Sequence, residues 1–415
     1  ARYNVPGALY PNIFVNGYSV DTKKPVEWKY KGGTYYPANI TVQQNFLRVL
    51  VGLTNLTGEP KYRTAAEEQV KWWFTNPDNS DKNGLLYAGE HSFVCVKTGK
   101  ILSYNEHEMK QVFPYYDFMY EVEPEGVKRY MEACWNSHVI DWSNLSMNRH
   151  GYYNKAMSNM WDSEYTDPSV DFNNGRSLSF QNAGDDLINY AFFIADKTGE
   201  EGPRIWGRRM LQKYIDTVNP VTGLSGAQYG EQATGDRLYL QYGPEFGELA
   251  KEYNYINKYK IKTIAGFAPQ YLLEYAQKMN DQEIMDYVVN SIEGTAKHVY
   301  NAETNKLETP MWSDGTSLQG YVTKRAGYHG VKGKTLPSSG ENVHTDVLLG
   351  TLKAYFATER ETLWQFARDM GKGFGLGDLG TKPGENVNLT METEATDPQI
   401  VFSLLNLYNE TGNKD

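Results

Sequence analysis

Apolar residues recur at a helical period along most of this chain, and that recurrence limits the folds open to it. Residues 42–56 carry Phe46, Val49, Leu50 and Leu53, the i, i+3, i+4, i+7 stripe of a helix with one buried face. Comparable stripes run through 62–75, 124–139, 183–196, 204–217, 262–278, 283–300, 342–357 and 397–409. Alternating strands are scarce, and 92–96 reads as part of a connecting hairpin. Three helical segments close on the same dipeptide: Thr57-Gly58, Thr198-Gly199 and Thr411-Gly412. Glycine supplies the left-handed position that ends a helix. Glu59 and Glu200, which follow the first two, suit the start of the next helix. This is the pattern of helical hairpins stacked in series. The expected fold is all-α: an α/α toroid of helical hairpins, one domain over 1–415, with short β-hairpins and long loops lining a cleft.

The loops are the second constraint. Segments 77–105, 140–180, 218–248 and 305–340 are too long to be simple connections. They hold Trp142, Tyr153, Trp161, Tyr239, Tyr242, Trp312 and Tyr321, a composition that disfavours disorder. The whole chain has 32 Tyr, 16 Phe and 9 Trp, more rings with a polar edge than a core needs. Such rings suit a surface that grips sugars, which have apolar faces and hydroxyl rims. An aromatic-rich core explains the same counts. The net charge of −10 argues against nucleic acid or an anionic membrane as partner. No apolar run is long enough to insert in a membrane. Cys95 and Cys134 are expected to be separate buried thiols. The chain opens at Ala1 without a leader, as after signal-peptide removal or trimming, and the expected compartment is periplasmic or secreted. A monomer is expected.

Seven histidines are present, but no H-E-x-x-H, C-x-x-C, P-loop or G-x-S-x-G pattern. What stands out is a series of short segments. They are Gly89-Glu90-His91-Ser92-Phe93, His107-Glu108-Met109-Lys110 with Pro114-Tyr115-Tyr116, Trp135-Asn136-Ser137-His138-Val139, Arg149-His150-Gly151, Tyr242-Gly243-Pro244-Glu245-Phe246-Gly247, and Met311-Trp312 leading to Tyr321. In this order, between residues 89 and 321, they resemble the motifs of the family 2 polysaccharide lyases, pectate lyases that fold as an α/α barrel. The chain departs from that family at Glu90 and Ser92, where Gly and Arg are usual.

The resemblance implies metal-assisted β-elimination on a uronate polysaccharide such as pectate. Carried over by position, it implies His91, Glu108 and His150 as ligands of a divalent transition metal (Mn, Ni, Co or Fe) and Arg149 as the base. The residue chemistry fits. A uronate C5 proton is weakly acidic because its loss pushes charge onto an ionised carboxylate, and a cation there stabilises the transition state. Two imidazoles and a carboxylate suit a first-row metal and leave positions open. Arg149 is either the base or a bidentate clamp on the uronate carboxylate. Glu108 reads as lying at a helix start, His107 as a residue behind the site or a cap, and His138 as a packing residue. Arg237, Lys324 and Arg325 are candidate carboxylate contacts, and Tyr242 and Trp312 are either sugar platforms or loop-packing rings. The rival readings are a glycoside hydrolase using two of Asp162, Glu164, Asp185, Asp186 and Glu245, and a non-catalytic sugar-binding toroid.

Overall fold

A computed structural model describes residues 5–103, 105–109, 115–230, 241–325, 332–390 and 397–413. Helix of all kinds accounts for about 48% of it, including twelve α-helices among the described residues. Helix α1 (Gln44–Thr57) ends at Gly58, whose φ of 72° lets its N–H return to the Thr54 carbonyl at 2.8 Å. Gly199 and Gly412 close α5 (Gln181–Thr198) and the last helix in the same way, with φ of 76° and 68°. The Thr-Gly dipeptides are therefore helix stops, as expected.

The chain forms two compact units, Ala1–Asp167 with Asp186–Gly207, and Pro168–Asp185 with Arg208–Asp415. The first holds α1, α2 (Lys61–Thr75), α3 (Tyr116–Val122), α4 (Pro124–His138), most of α5 and the start of α6 (Glu201–Ile215). Its core is built on tryptophan. Trp135 donates to the Leu187 carbonyl at 2.8 Å and Trp206 to the Trp161 carbonyl at 2.9 Å. Trp142 meets Trp206 edge-on at 4.9 Å. Trp142 and Trp161 come from a loop expected to face a cleft. They pack against helix residues instead, because a large ring gains more by leaving water than an exposed platform would.

Nine short strands join these helices: β1 (Trp28–Tyr30), β2 (Gly33–Tyr35), β3 (Pro37–Ala38), β4 (Ser92–Cys95), β5 (Ile101–Ser103), β6 (Glu106–Glu108), β7 (Val139–Asp141), β8 (Ser146–Met147) and β9 (His150–Tyr152). They pair as β1–β2, β3–β4–β5, β6–β9 and β7–β8. The expected hairpin at 92–96 is the centre of the three-stranded group. Cys95 and Cys134 are buried and unbridged.

The second unit holds α7 (Lys258–Ile261), a π-helical stretch (Lys262–Phe267), α8 (Pro269–Met279), α9 (Gln282–His298), α10 (Thr345–Thr358), α11 (Glu361–Gly373) and α12 (Gln399–Thr411). The π stretch ends two residues before Pro269, which has no N–H to continue a regular ladder. No helix among the described residues is long and apolar enough to cross a membrane.

Candidate metal centre

Glu108 and His150 meet because of strand register. β6 and β9 run antiparallel with Glu108 directly opposite His150 and His107 opposite Gly151. Directly paired residues share a face, so the carboxylate and the imidazole project together while His107 points the other way. Glu108 thus lies in a strand and not at a helix start, and pairing with β9, which begins twelve residues beyond α4's end, is what overrides the local reading.

His91 is delivered by a turn. Glu90 N–H donates to the Glu108 carbonyl at 3.0 Å, tying the turn to β6. Gly89 has φ of 109°, and a Cβ there would lie 2.4 Å from the Glu108 carbonyl oxygen. Only glycine allows this approach. The buried Asn39 side chain donates to the Gly89 carbonyl at 2.6 Å and the Ser92 carbonyl at 3.2 Å, and accepts the Gly89 N–H at 3.3 Å. The sequence around Asn39, Asn39-Ile40-Thr41, carries no mark of this role. The work of Asn39 is to hold the His91 turn.

The result is a cluster. His91 Nε2 lies 2.6 Å from Glu108 Oε2, and His150 Nε2 lies 3.2 Å from the same oxygen. The ring centroids of His91 and His150 are 5.6 Å apart. One ligand atom from each residue falls within 4.8 Å of the others. Ligands about 2.1 Å from one ion and at right angles to each other stand about 3 Å apart, so the three donors fit a single divalent cation. Arg149 Nε is 3.5 Å from Glu108 Oε1, and Glu106 Oε2 is 3.9 Å from His150 Nδ1.

Behind the cluster lies a buried chain of hydrogen bonds. His138 Nδ1 is 2.8 Å from the Asn148 carbonyl, so it carries the proton, and His138 Nε2 accepts from His107 Nδ1 at 2.9 Å. The Tyr130 hydroxyl stands 3.5 Å from His107 Nε2. Asn148 Oδ1 accepts the His150 N–H at 2.9 Å. Burial holds His107 well below the usual histidine range and pushes His138 down to about 4, so both are neutral at neutral pH. His107 lies behind the site, as one reading had it. His138 does more than pack: it links the end of α4 to both strands. A Cβ on Gly151 would lie 2.7 Å from the His138 ring, so glycine is what seats β9 on α4.

The other expected site residues that the structure describes lie in the second unit. Tyr242 and Trp312 have no exposed surface; they pack with Tyr255, Leu318 and Leu336. Their ring centroids are 5.3 Å apart. A ring with both faces covered offers no platform to a sugar, so the packing reading replaces the platform reading. Lys324 pairs with Glu245, and Tyr321 donates to the Tyr242 carbonyl. Arg325 follows Lys324 with a covered Nε. Arg237 lies outside the described residues. Segments 77–103 and 140–167, with Glu108 of β6, supply the first unit's cluster, and 241–248 and 305–325 contribute to the second unit's ring cluster. Two carboxylates of the hydrolase reading have other partners: Asp185, buried inside α5, accepts from the Tyr271 hydroxyl at 2.7 Å, and Glu245 is held by Lys324.

A family model described as periplasmic pectate lyase matches residues 11–415. The chain belongs to the periplasmic pectate lyase family. A pectate disaccharide-lyase of Dickeya dadantii (strain 3937) is 30% identical over 389 residues, which cover 85% of this chain and 68% of that protein. Solved structures of a D-mannose isomerase and of a sugar epimerase from a ruminal bacterium align at 10% identity with TM-scores of 0.45 and 0.46. They cover 87% and 84% of this chain and 82% of each of those. That likeness is too slight to carry an argument. Membership in the pectate lyase family does, and it agrees with a cluster of two imidazoles, a carboxylate and a guanidinium.

Proposed function

We propose that this protein is a polysaccharide lyase that cuts a pectate-like galacturonan by β-elimination at the His91, Glu108, His150 and Arg149 cluster. The observation that carries the reading is the approach of His91 Nε2 and His150 Nε2 to one oxygen of Glu108 with Arg149 alongside. His91, Glu108 and His150 hold a divalent first-row metal: Mn, Ni, Co or Fe. Such an ion, when bound, neutralises the substrate's C6 carboxylate and stabilises the charge that develops on it. Arg149 takes the C5 proton. The C5–H electrons form the C4–C5 double bond, the C4–O bond breaks, and the leaving oxygen collects a proton from water. Asn39 and Gly89 keep His91 in place, and His107 and His138 keep β6 and β9 in register.

Lys324 and Arg325 in the second unit, together with Arg237, are further candidates for carboxylate contact. The helical hairpins are taken to form the α/α toroid, as one catalytic domain over 1–415, acting as a periplasmic or secreted monomer. The test is incubation with polygalacturonate and manganese before and after metal stripping. An ultraviolet-absorbing unsaturated product, lost on stripping and restored by metal, is expected. Release of reducing ends without that absorbance would establish hydrolysis instead.

A further inference from the structure

The cavity beside His91 is a feature the proposed reaction leaves unused. β1 and β2 pair with Trp28 opposite Tyr35 and Tyr30 opposite Gly33. Paired and alternate residues of a hairpin share a face, so Trp28, Tyr30 and Tyr35 make one aromatic surface. Trp28 stacks on Tyr30 with centroids 4.6 Å apart and planes 8° apart. Phe93 of β4 meets Trp28 and Tyr35 edge-on at 4.9 and 6.3 Å. If this face served only to pack the hairpin, the rings would close on β4 and β5. They leave a cavity of about 330 Å³ instead, and Trp28 stays 39% exposed. That volume is within the range of small-ligand pockets, about 300–1,000 Å³.

Charge completes the case. The ammonium groups of Lys31 and Lys100 stand over Tyr30 and Tyr35, 5.1 and 5.6 Å from the ring centroids, and both lysines line the cavity. His91 lines it as well, and its Nε2 is the atom that reaches Glu108. The cavity therefore shares a wall with the candidate metal centre.

We propose that this cavity is a subsite for a second galacturonate residue of the substrate, next to the residue held at the His91, Glu108 and His150 cluster. The rings cover the apolar C–H face of the sugar. Lys31 and Lys100 meet its carboxylate. Glu90, which lines the same cavity, accepts from a hydroxyl. This assignment rests on the lyase reading for the identity of the sugar.

The test is calorimetric binding of hexagalacturonate and of the monosaccharide galacturonate to the whole protein with manganese, alongside the ultraviolet assay. Trp28→Ala is expected to weaken hexagalacturonate binding about tenfold more than galacturonate binding, with the loss in KM rather than kcat, and Trp28→Phe to recover most of it. Lys100→Gln is expected to narrow the preference for the oligogalacturonate over its methyl ester. Equal losses for the two lengths, or full affinity in a folded Trp28→Ala protein, would overturn the subsite. Should Trp28→Ala not fold, Lys100→Gln decides, and an unchanged preference for acid over ester sinks the proposal. The two readings fail separately. A wild-type protein that yields no unsaturated product refutes the lyase, whereas the binding comparison reads the cavity either way.

Discussion

Arg149 stands beside a carboxylate that two imidazoles also approach, and its two candidate roles differ in kinetics. If it takes the C5 proton, Arg149→Lys removes the base from reach, and kcat should fall far more than KM rises, by about 100-fold or more. If it clamps the substrate carboxylate, Lys keeps the charge and loses the fork, and KM carries the damage. Steady-state rates on polygalacturonate separate these, and near-normal kcat with raised KM returns Arg149 to the clamp. Asn39 offers a second test at this scale. Asn39→Ala leaves the Gly89 and Ser92 carbonyls without a buried donor, a loss of about 1–3 kcal/mol. Because the His91 turn loosens, manganese affinity should fall about 10–100-fold. Unchanged affinity in titration calorimetry would remove Asn39 from the support of the site.

The element that matters most is the β6–β9 pair and its seat on α4. One step of register would turn Glu108 away from His150, and the His107–His138–Asn148 chain holds that register from behind. The same chain gives the protein an acid weakness. Burial lowers His138 from 6.5 to about 4 in the folded state. Below pH 6.5 the unfolded chain gains a proton that the folded chain refuses. Stability should therefore be full above about pH 6.5 and fall through pH 4, by about 3 kcal/mol for this group. His107, lowered in the same direction, adds to the slope. Denaturant midpoints measured between pH 7 and 4 should show it, and His138→Gln should flatten it. A slope that survives the substitution would locate the weakness elsewhere. Helices whose stripes span three turns or more were readable in advance to within a few residues. α3 was missed because its 7 residues are under two full turns, too short for a stripe to show. α11 carries a stripe of Leu363, Trp364, Ala367 and Met370, so it was open to the same reading and passed over.

At the scale of the whole molecule, a bound ion would join three distant points of the chain, at 91, 108 and 150. Ligand that binds only the folded state stabilises it by about 2.7 kcal/mol at a hundred times its Kd. Manganese should therefore raise the melting temperature after metal stripping, and His91→Ala with Glu108→Ala should abolish the rise. A shift that persists in the double variant would place the ion elsewhere. Helical class, the Thr-Gly stops and the motif order were all decided by sequence alone, since periodicity, left-handed caps and residue identity are local properties. The ligand set His91, Glu108 and His150 was legible only through the resemblance, because no spacing rule ties residues separated by a turn, a strand and a helix. Tertiary structure decided the rest. Glu108 became a strand residue through pairing with β9, Asn39 became a support through a contact with Gly89 fifty residues away, and Trp142, Trp161, Tyr242 and Trp312 became packing rings. Composition counts rings but does not say which faces are covered, and a ring is a platform only where the fold leaves a face open, as it does at Trp28.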